Sequence, residues 1–392
     1  MMTPWNIKRS AGFQKDGALR VVIAGGGTGG HVFPGIALAQ AFMSRNSESR
    51  ILFVGTGNRF EKRAFSETPF PHTAIPAEGI KGRGVLQKLR AVAKVPWGVL
   101  VAMGILRRFG AQLVVGVGGY SSAPVVMGAW FMGIPVILQE QNLVPGMANR
   151  LVGRLSRQIH VSFAQTCTGF DPRKIRVSGN PVRETFVTVS TKPTPLMVTE
   201  AAKNRFTVLV CGGSQGAHAI NKAVIDGLVF LRENKRLLLI HQTGAADEAD
   251  AREAQKAHGI CGRTADFFVD MAAQYADADL VICRAGATTV AELTALGKPA
   301  LLIPYPYAAD QHQLLNAKLL ANEGAAELIL ERDLSGRMLA DRILFYADHP
   351  ESLVQMAARS RGLGRPQAAA DIVDDCYALL TGSARSAQKT TD

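Results

Sequence analysis

Five cysteines are scattered through 392 residues, and no two of them have C-x-x-C spacing. Neither a zinc ribbon nor a disulfide framework can organise this chain, and a reducing compartment is its expected setting. No apolar run approaches the ~20 residues of a bilayer crossing. Val95–Leu106 is too short, and the uncharged stretch 113–138 is interrupted by Gly118-Gly119, Ser121-Ser122, Pro124 and Gly133 to Pro135. That stretch reads as strand, loop, helix, strand. Met1 to Gly17 is polar and lacks the ~7–15-residue apolar core of a signal peptide. The few aromatic residues are not interleaved with basic ones, so a nucleic-acid binder is not expected.

What is present is a divided charge. Residues 1–180 hold 22 Lys and Arg against 7 Asp and Glu, and residues 181–392 hold 22 against 25. A basic first half points to an anionic substrate or an anionic surface as its partner. Short Val/Ile/Leu runs alternate with helical segments throughout. Strands are expected at 20–24, 51–55, 113–117, 136–138, 158–161 and 174–177, then at 207–211, 237–242, 265–269, 280–283 and 300–303. Helices are expected at 35–45 and 221–233. The strand runs show no polar alternation, as in parallel sheets covered on both faces. "RFTVLVCGGSQGAHAINKAVIDGL" restates the pattern of "LRVVIAGGGTGGHVFPGIALAQAF": strand, glycine-rich turn, helix. The expected class is α/β, with two tandem Rossmann-like domains whose parallel sheets face a cleft. The boundaries read as an extension at 1–18, a first domain at 19–185, a linker at 186–205, a second domain at 206–381 and a tail at 382–392.

"GGGTGG" contains G-x-G-x-x-G, the dinucleotide fingerprint. The acidic residue that holds a ribose ~20 positions later is missing. The second strand runs into Gly55, Thr56, Gly57 and Asn58, and the first carboxylate is Glu61. Four glycine-rich turns follow strands, at 25–30, 116–119, 212–216 and 285–287. Ligands of open α/β sheets sit beyond the carboxyl ends of strands, so four such turns suggest one shared cleft for a two-part substrate.

"GGGTGGHVFPG", "GVGGYSSAPV", "QEQN", "GNPVR", "GGSQGA", "CRAGATTVAEL" and "PYPYAADQHQLLNA" follow one another in this order. Together they resemble the motifs of the MurG family of peptidoglycan glycosyltransferases, over about residues 19 to 380. The resemblance implies a GT-B fold and an inverting transfer of N-acetylglucosamine from UDP to the 4-hydroxyl of the muramoyl sugar of lipid I, giving lipid II. It implies no cofactor. The implied partners are UDP-N-acetylglucosamine, undecaprenyl-linked lipid I, an anionic membrane surface and other cell-wall synthesis proteins. The implied location is peripheral, on the cytoplasmic face of the cell membrane.

By this resemblance Ala287, Thr288, Thr289, Val290, Ala291 and Glu292 cradle the nucleotide, and Glu292 accepts from the ribose hydroxyls. Ser214 contacts the diphosphate, the backbone of Phe268 reads uracil, and Gln313 contacts the donor, with His312 or Gln311 as alternatives. Arg183 and Asn142 also face the donor, as do Thr28, Gly29 and Gly30 across the shared cleft. On its own chemistry, a helix opening at 287–290 offers free N–H groups and two hydroxyls to an anion. His31 is the candidate general base, a task that suits a neutral imidazole, although a histidine at a helix start is as often a packing residue. Glu140 is the second choice.

Asp277 and Asp279 form D-x-D, the metal signature of another transferase class. They precede a strand, at its amino end, so no metal is expected. Residues 81–110 carry Lys81, Arg83, Lys88, Arg90 and Lys94, then Trp97, Val99, Leu100 and Met103, then Arg107 and Arg108. Basic and apolar residues side by side suit an interfacial segment on anionic lipid. The rival readings are another UDP-sugar transferase acting on a lipid such as diacylglycerol, a UDP-sugar epimerase of the same fold, and a non-catalytic nucleotide-sugar sensor.

Overall fold

The computed structural model describes residues 16–66, 68–77, 94–166, 169–191, 205–213 and 216–382. Two parallel sheets carry the molecule. The first contains β1 (Arg20–Gly25), β2 (Arg50–Gly55), β3 (His72–Ala74), β4 (Leu113–Gly118), β5 (Val136–Glu140), β6 (Gln158–Val161) and β7 (Ile175–Val177), in the order β3-β2-β1-β4-β5-β6-β7. The second contains β8 (Phe206–Cys211), β9 (Leu237–Gln242), β10 (Cys261–Ala265), β11 (Leu280–Cys283), β12 (Ala300–Leu302) and β13 (Glu327–Leu328), in the order β10-β9-β8-β11-β12-β13. The central strands are covered on both faces, which is why they lack alternation. Val22 pairs with Leu52 on one side and Val114 on the other, and all three are shielded by helices.

Strand order reverses at β1/β4 in the first sheet and at β8/β11 in the second. These are the switch points where open sheets leave a crevice. The four glycine-rich turns stand on these four strands. The turns after β1 and β4 press together: a Cβ on Gly25 would lie 2.5 Å from the Gly118 carbonyl oxygen, and one on Gly119 2.5 Å from that of Gly26. Only glycine permits this approach, and Gly119 also has φ +80°.

Several elements differ from the sequence reading. The strand expected at 265–269 is Cys261–Ala265. It is an edge strand paired only to β9 and largely exposed, so it needs no apolar run. The short edge strands β3 and β13 went unread for the same reason. Helix α1 (Gly29–Arg45) begins six residues early and keeps Pro34 inside, which places His31 in its first turn. Val182 and Phe186, on either side of the expected end of the first domain, both pack in the second domain's core. Most of the expected linker, 192–204, lies outside the described residues, as do 1–15 and 383–392.

The last helix also departs from the expected boundary. The sequence places Ala368–Thr381 in the second domain. Instead, Ile372, Val373, Cys376 and Tyr377 pack with Leu19, Ile36 and Phe42 in the first domain's core. Arg45 of α1 pairs with Asp374 at 3.0 Å. The chain therefore crosses between domains twice, near 180 and near 365.

Candidate active site

A cleft of about 520 Å³ opens between the carboxyl ends of the two sheets. The first domain contributes Thr28, Gly29, Gly30, His31 and Asn142. The second contributes Phe268, Ala287, Thr288, Thr289, Glu292 and Gln313, and Arg183 stands between them. Residues predicted from both halves of the chain are thus brought to one cavity.

Glu61 shapes the first wall. Its carboxylate accepts from the backbone N–H of Gly27 (2.6 Å), Thr56 (2.8 Å) and Gly57 (2.7 Å), and from the Thr56 hydroxyl (2.7 Å). The acidic residue absent from the ribose position is therefore replaced by one that anchors the glycine loop itself. Thr28 caps α1 with extended backbone, and its hydroxyl lies 3.3 Å from Nδ1 of His31. The imidazole packs where a Gly118 side chain would be, 2.9 Å from that Cβ position. Burial lowers the His31 pKa to about 4, a hydrogen bond to the Gly26 carbonyl opposes this, and His312 across the cleft adds to it. The ring is neutral near pH 7, with the lone pair that a base needs.

Glu140 does not reach the cleft. It is buried beneath the loop after β5, where it accepts from the N–H of Asn142 (3.0 Å) and Gly146 (3.0 Å) and from Nδ2 of Asn149 (2.9 Å). Burial raises its pKa. Its geometry is that of an anchor holding Asn142 at the rim, which removes it as the second-choice base.

The second wall is built on the helix Ala287–Leu296, which follows β11. Gly286 caps it without a side-chain hydrogen bond, and Gly286 to Thr289, which carry its first N–H groups, line the cleft. The Thr288 hydroxyl is buried and has no partner among the described residues. Val290 is turned into the core, and Ala291 faces a second cavity behind the helix. Neither side chain lines the cleft as expected. Ser214 lies outside the described residues.

Arg183 donates to Oε1 of Glu292 at 3.2 Å. It also lies 4.7 Å from the ring centroid of Phe33 and 4.8 Å from that of Phe186. Burial raises the Glu292 pKa, and Arg183 opposes the rise. The Phe268 N–H donates to Oε1 of Gln242 at 3.0 Å, and Gln242 in turn donates to the Gly213 carbonyl at 3.2 Å. Gln242 was not singled out, although a polar residue ending the buried run "LLLIHQ" was its signal. Gln313 and His312 both line the cleft, whereas Gln311 does not. Gln313 accepts from the Tyr305 N–H at 2.9 Å. Arg284, also not singled out, lines the cleft while donating to the Ile303 carbonyl at 3.1 Å.

Asp279 accepts from the Thr207 N–H at 2.8 Å and Asp277 pairs with Arg263 at 3.2 Å, both at strand amino ends as read. On the first domain's outer side, Trp97 and Leu100 of the helix Val95–Phe109 are 62% and 60% exposed. Phe131, on a helix packed against it, is 61% exposed. Val99 is buried instead, and Met103 packs near Gly128. Lys81, Arg83, Lys88 and Arg90 lie outside the described residues. Among the described residues no helix is long and apolar enough to cross a membrane.

Comparison with known proteins decides among the rivals. Residues 21–161 match the glycosyltransferase family 28 N-terminal domain, and 207–374 match its C-terminal domain. The UDP-N-acetylglucosamine–N-acetylmuramyl-(pentapeptide) pyrophosphoryl-undecaprenol N-acetylglucosamine transferase of Syntrophus aciditrophicus is 47% identical over 92% of this chain and 99% of its own. The enzyme of the same name from Myxococcus xanthus is 41% identical over 92% and 93%. The chain belongs to this MurG transferase family. The solved MurG of Acinetobacter baumannii superposes with a TM-score of 0.72 at 28% identity, covering 92% of this chain and 99% of that one. A UDP-GlcNAc 2-epimerase from Neisseria meningitidis, bound to UDP-GlcNAc, reaches 0.64 at 14% identity over 91% and 99%. That likeness shows the shared fold alone. Membership of the MurG family sets aside the epimerase and sensor readings and makes the chain a hexosyltransferase.

Proposed function

We infer that this protein transfers N-acetylglucosamine from UDP-N-acetylglucosamine to undecaprenyl-pyrophosphoryl-N-acetylmuramoyl-pentapeptide, converting lipid I to lipid II. The supporting observation is one cleft that joins the His31 turn of the first domain to the Thr288 helix end of the second, in a chain 47% identical to a transferase of that name. His31 takes the proton of the acceptor 4-hydroxyl as its oxygen attacks the anomeric carbon. The bond from that carbon to the diphosphate breaks, and its electron pair leaves with UDP. The attack comes from the opposite face, so the configuration inverts. The N–H groups opening the Ala287–Leu296 helix and the Thr288 hydroxyl receive the charge that develops on the diphosphate. Glu292, held by Arg183, meets the ribose, and the Phe268 loop meets the base.

The acceptor's lipid tail requires work at a membrane. The exposed Trp97, Leu100 and Phe131, with Arg107 and Arg108 on the same helix as the first two, suit peripheral contact with anionic lipid on the cytoplasmic face. Incubation with UDP-N-acetylglucosamine and a lipid I analogue, read by mass spectrometry, tests the main reading. A β-1,4-linked disaccharide is expected, and its absence overturns the assignment. Replacing Trp97 and Leu100 by serine is expected to weaken binding to phosphatidylglycerol vesicles. Unchanged binding rejects this surface.

A further inference from the structure

We propose that Arg63 and Phe267 form a clasp across the cleft that retains the uridine end of the donor, so that Arg63 is a positioning residue for nucleotide exchange. The proposal rests on reading the Phe267–Phe268 loop as the face that meets the base. Arg63 belongs to the first domain, on the helix Arg59–Ser66. Phe267 belongs to the second domain and lines the cleft. The Arg63 guanidinium carbon lies 5.1 Å from the Phe267 ring centroid, within range of a cation–π attraction.

Both partners are held from behind. Two residues before Arg63, Glu61 fastens the helix to the Gly27 and Thr56–Gly57 turns through four hydrogen bonds. One residue after Phe267, the Phe268 N–H is fixed to Gln242. Asp270 then caps the next helix by accepting from the Ala273 N–H at 3.0 Å. Neither side of the contact therefore rests on a free loop. A rigid path runs from the first glycine turn, through Glu61, Arg63 and Phe267, to the turn after β8. The contact ties the two domains at the edge where the Phe268 loop stands, and so favours the closed arrangement that a nucleotide touching both walls requires.

An exposed cation–π contact is worth a factor of about two to five in an equilibrium. Arg63→Ala is accordingly expected to raise the Kd for UDP, measured by calorimetry, and the KM for UDP-N-acetylglucosamine by about two- to fivefold. The effect falls on KM rather than kcat. Arg63→Lys, which keeps the cation, is expected to stay closer to the wild type. Arg63→Ala combined with Phe267→Ala is expected to be no weaker in UDP binding than Phe267→Ala alone. Arg63 is exposed, so its variants test the clasp even where Phe267→Ala fails to fold. Wild-type Kd and KM in Arg63→Ala overturn the proposal, as do losses that multiply in the double variant. A wild-type protein that binds no UDP overturns the donor reading of the cleft, a result distinct from UDP binding that is indifferent to Arg63.

Discussion

Arg183 and Glu292, 109 positions apart, meet at 3.2 Å beside the cleft, with the arginine sandwiched between Phe33 of one domain and Phe186 of the other core. The carboxylate is buried, and Arg183 is the cation that offsets its desolvation. Arg183→Met is expected to cost about 2 kcal/mol. That is less than the ~3–5 kcal/mol of a fully buried pair, because the arginine keeps 23% of its surface. The pH sign follows from the carboxyl. Without Arg183 its folded pKa rises further above the unfolded value, so the variant is least impaired below the ordinary glutamate range and loses stability as pH rises through the folded pKa. Melting curves are expected to diverge from the wild type more at pH 8 than at pH 5, and Glu292→Gln is expected to close the gap.

His31 gives two linked expectations. His31→Ala is expected to lower kcat by about 10²–10⁴, the usual contribution of a general base. The acid limb of kcat/KM reports the free enzyme, in which burial holds the imidazole at about 4. Two bound diphosphates favour the imidazolium and raise that value in the complex. The acid limb of kcat is therefore expected at a higher pH than that of kcat/KM. Coincident limbs, or wild-type turnover in the alanine variant, remove His31 from the role.

Thr288 separates binding from stability. Its hydroxyl is buried without a partner among the described residues, a cost in the free protein that a bound diphosphate relieves. Thr288→Val is expected to weaken UDP binding by about tenfold, the equivalent of one hydrogen bond to a charged group, while the melting temperature holds or rises. Calorimetry and thermal melting read the two effects apart.

Two further buried histidines set an acid limit. His160, bonded through Nδ1 to the Ser178 hydroxyl at 2.7 Å, and His241, bonded through Nε2 to Asn221 at 3.0 Å, are both buried. Burial lowers their pKa values to about 3 and about 4. A lowered histidine pKa contributes stability that is present above the unfolded value near 6.5 and is lost as pH falls toward the folded one. Unfolding between about pH 6 and 4 is therefore expected to take up two protons through these residues and a third through His31, which burial also holds at about 4, a slope of about 4 kcal/mol per pH unit. Replacing His241 by Asn is expected to cut it by about a third, as read from denaturant titrations across that range.

The sequence disclosed what local physics enforces. Parallel strands buried on both faces must be apolar runs, and β1, β4, β8 and β11 were readable on that ground. Turns so close that a Cβ would lie 2.5 Å from the facing carbonyl oxygen must be glycine, so the switch points are legible at Gly25 and Gly119. Interactions that a single chain segment does not contain were not readable. Glu61 serves N–H groups from two separate turns, and its sequence position shows only a residue at a helix start. Glu140 ends a strand at the cleft, as a base would, yet the loop closing over it takes both carboxylate oxygens. The helix Ala368–Thr381 advertises an apolar stripe but not which surface it will cover.

That helix imposes an order on synthesis. The face of α1 that Ile372 and Tyr377 cover is made early, and its cover is made more than 300 residues later. At the usual ~5–20 residues per second, about 190 residues separating β7 from the covering helix take about 10–40 s to translate. Throughout that interval the nascent first domain holds Ile36 and Phe42 without Ile372 and Tyr377 against them. A gene cut between the two sheets would encode one half missing its last wall and another carrying a helix with nothing to cover.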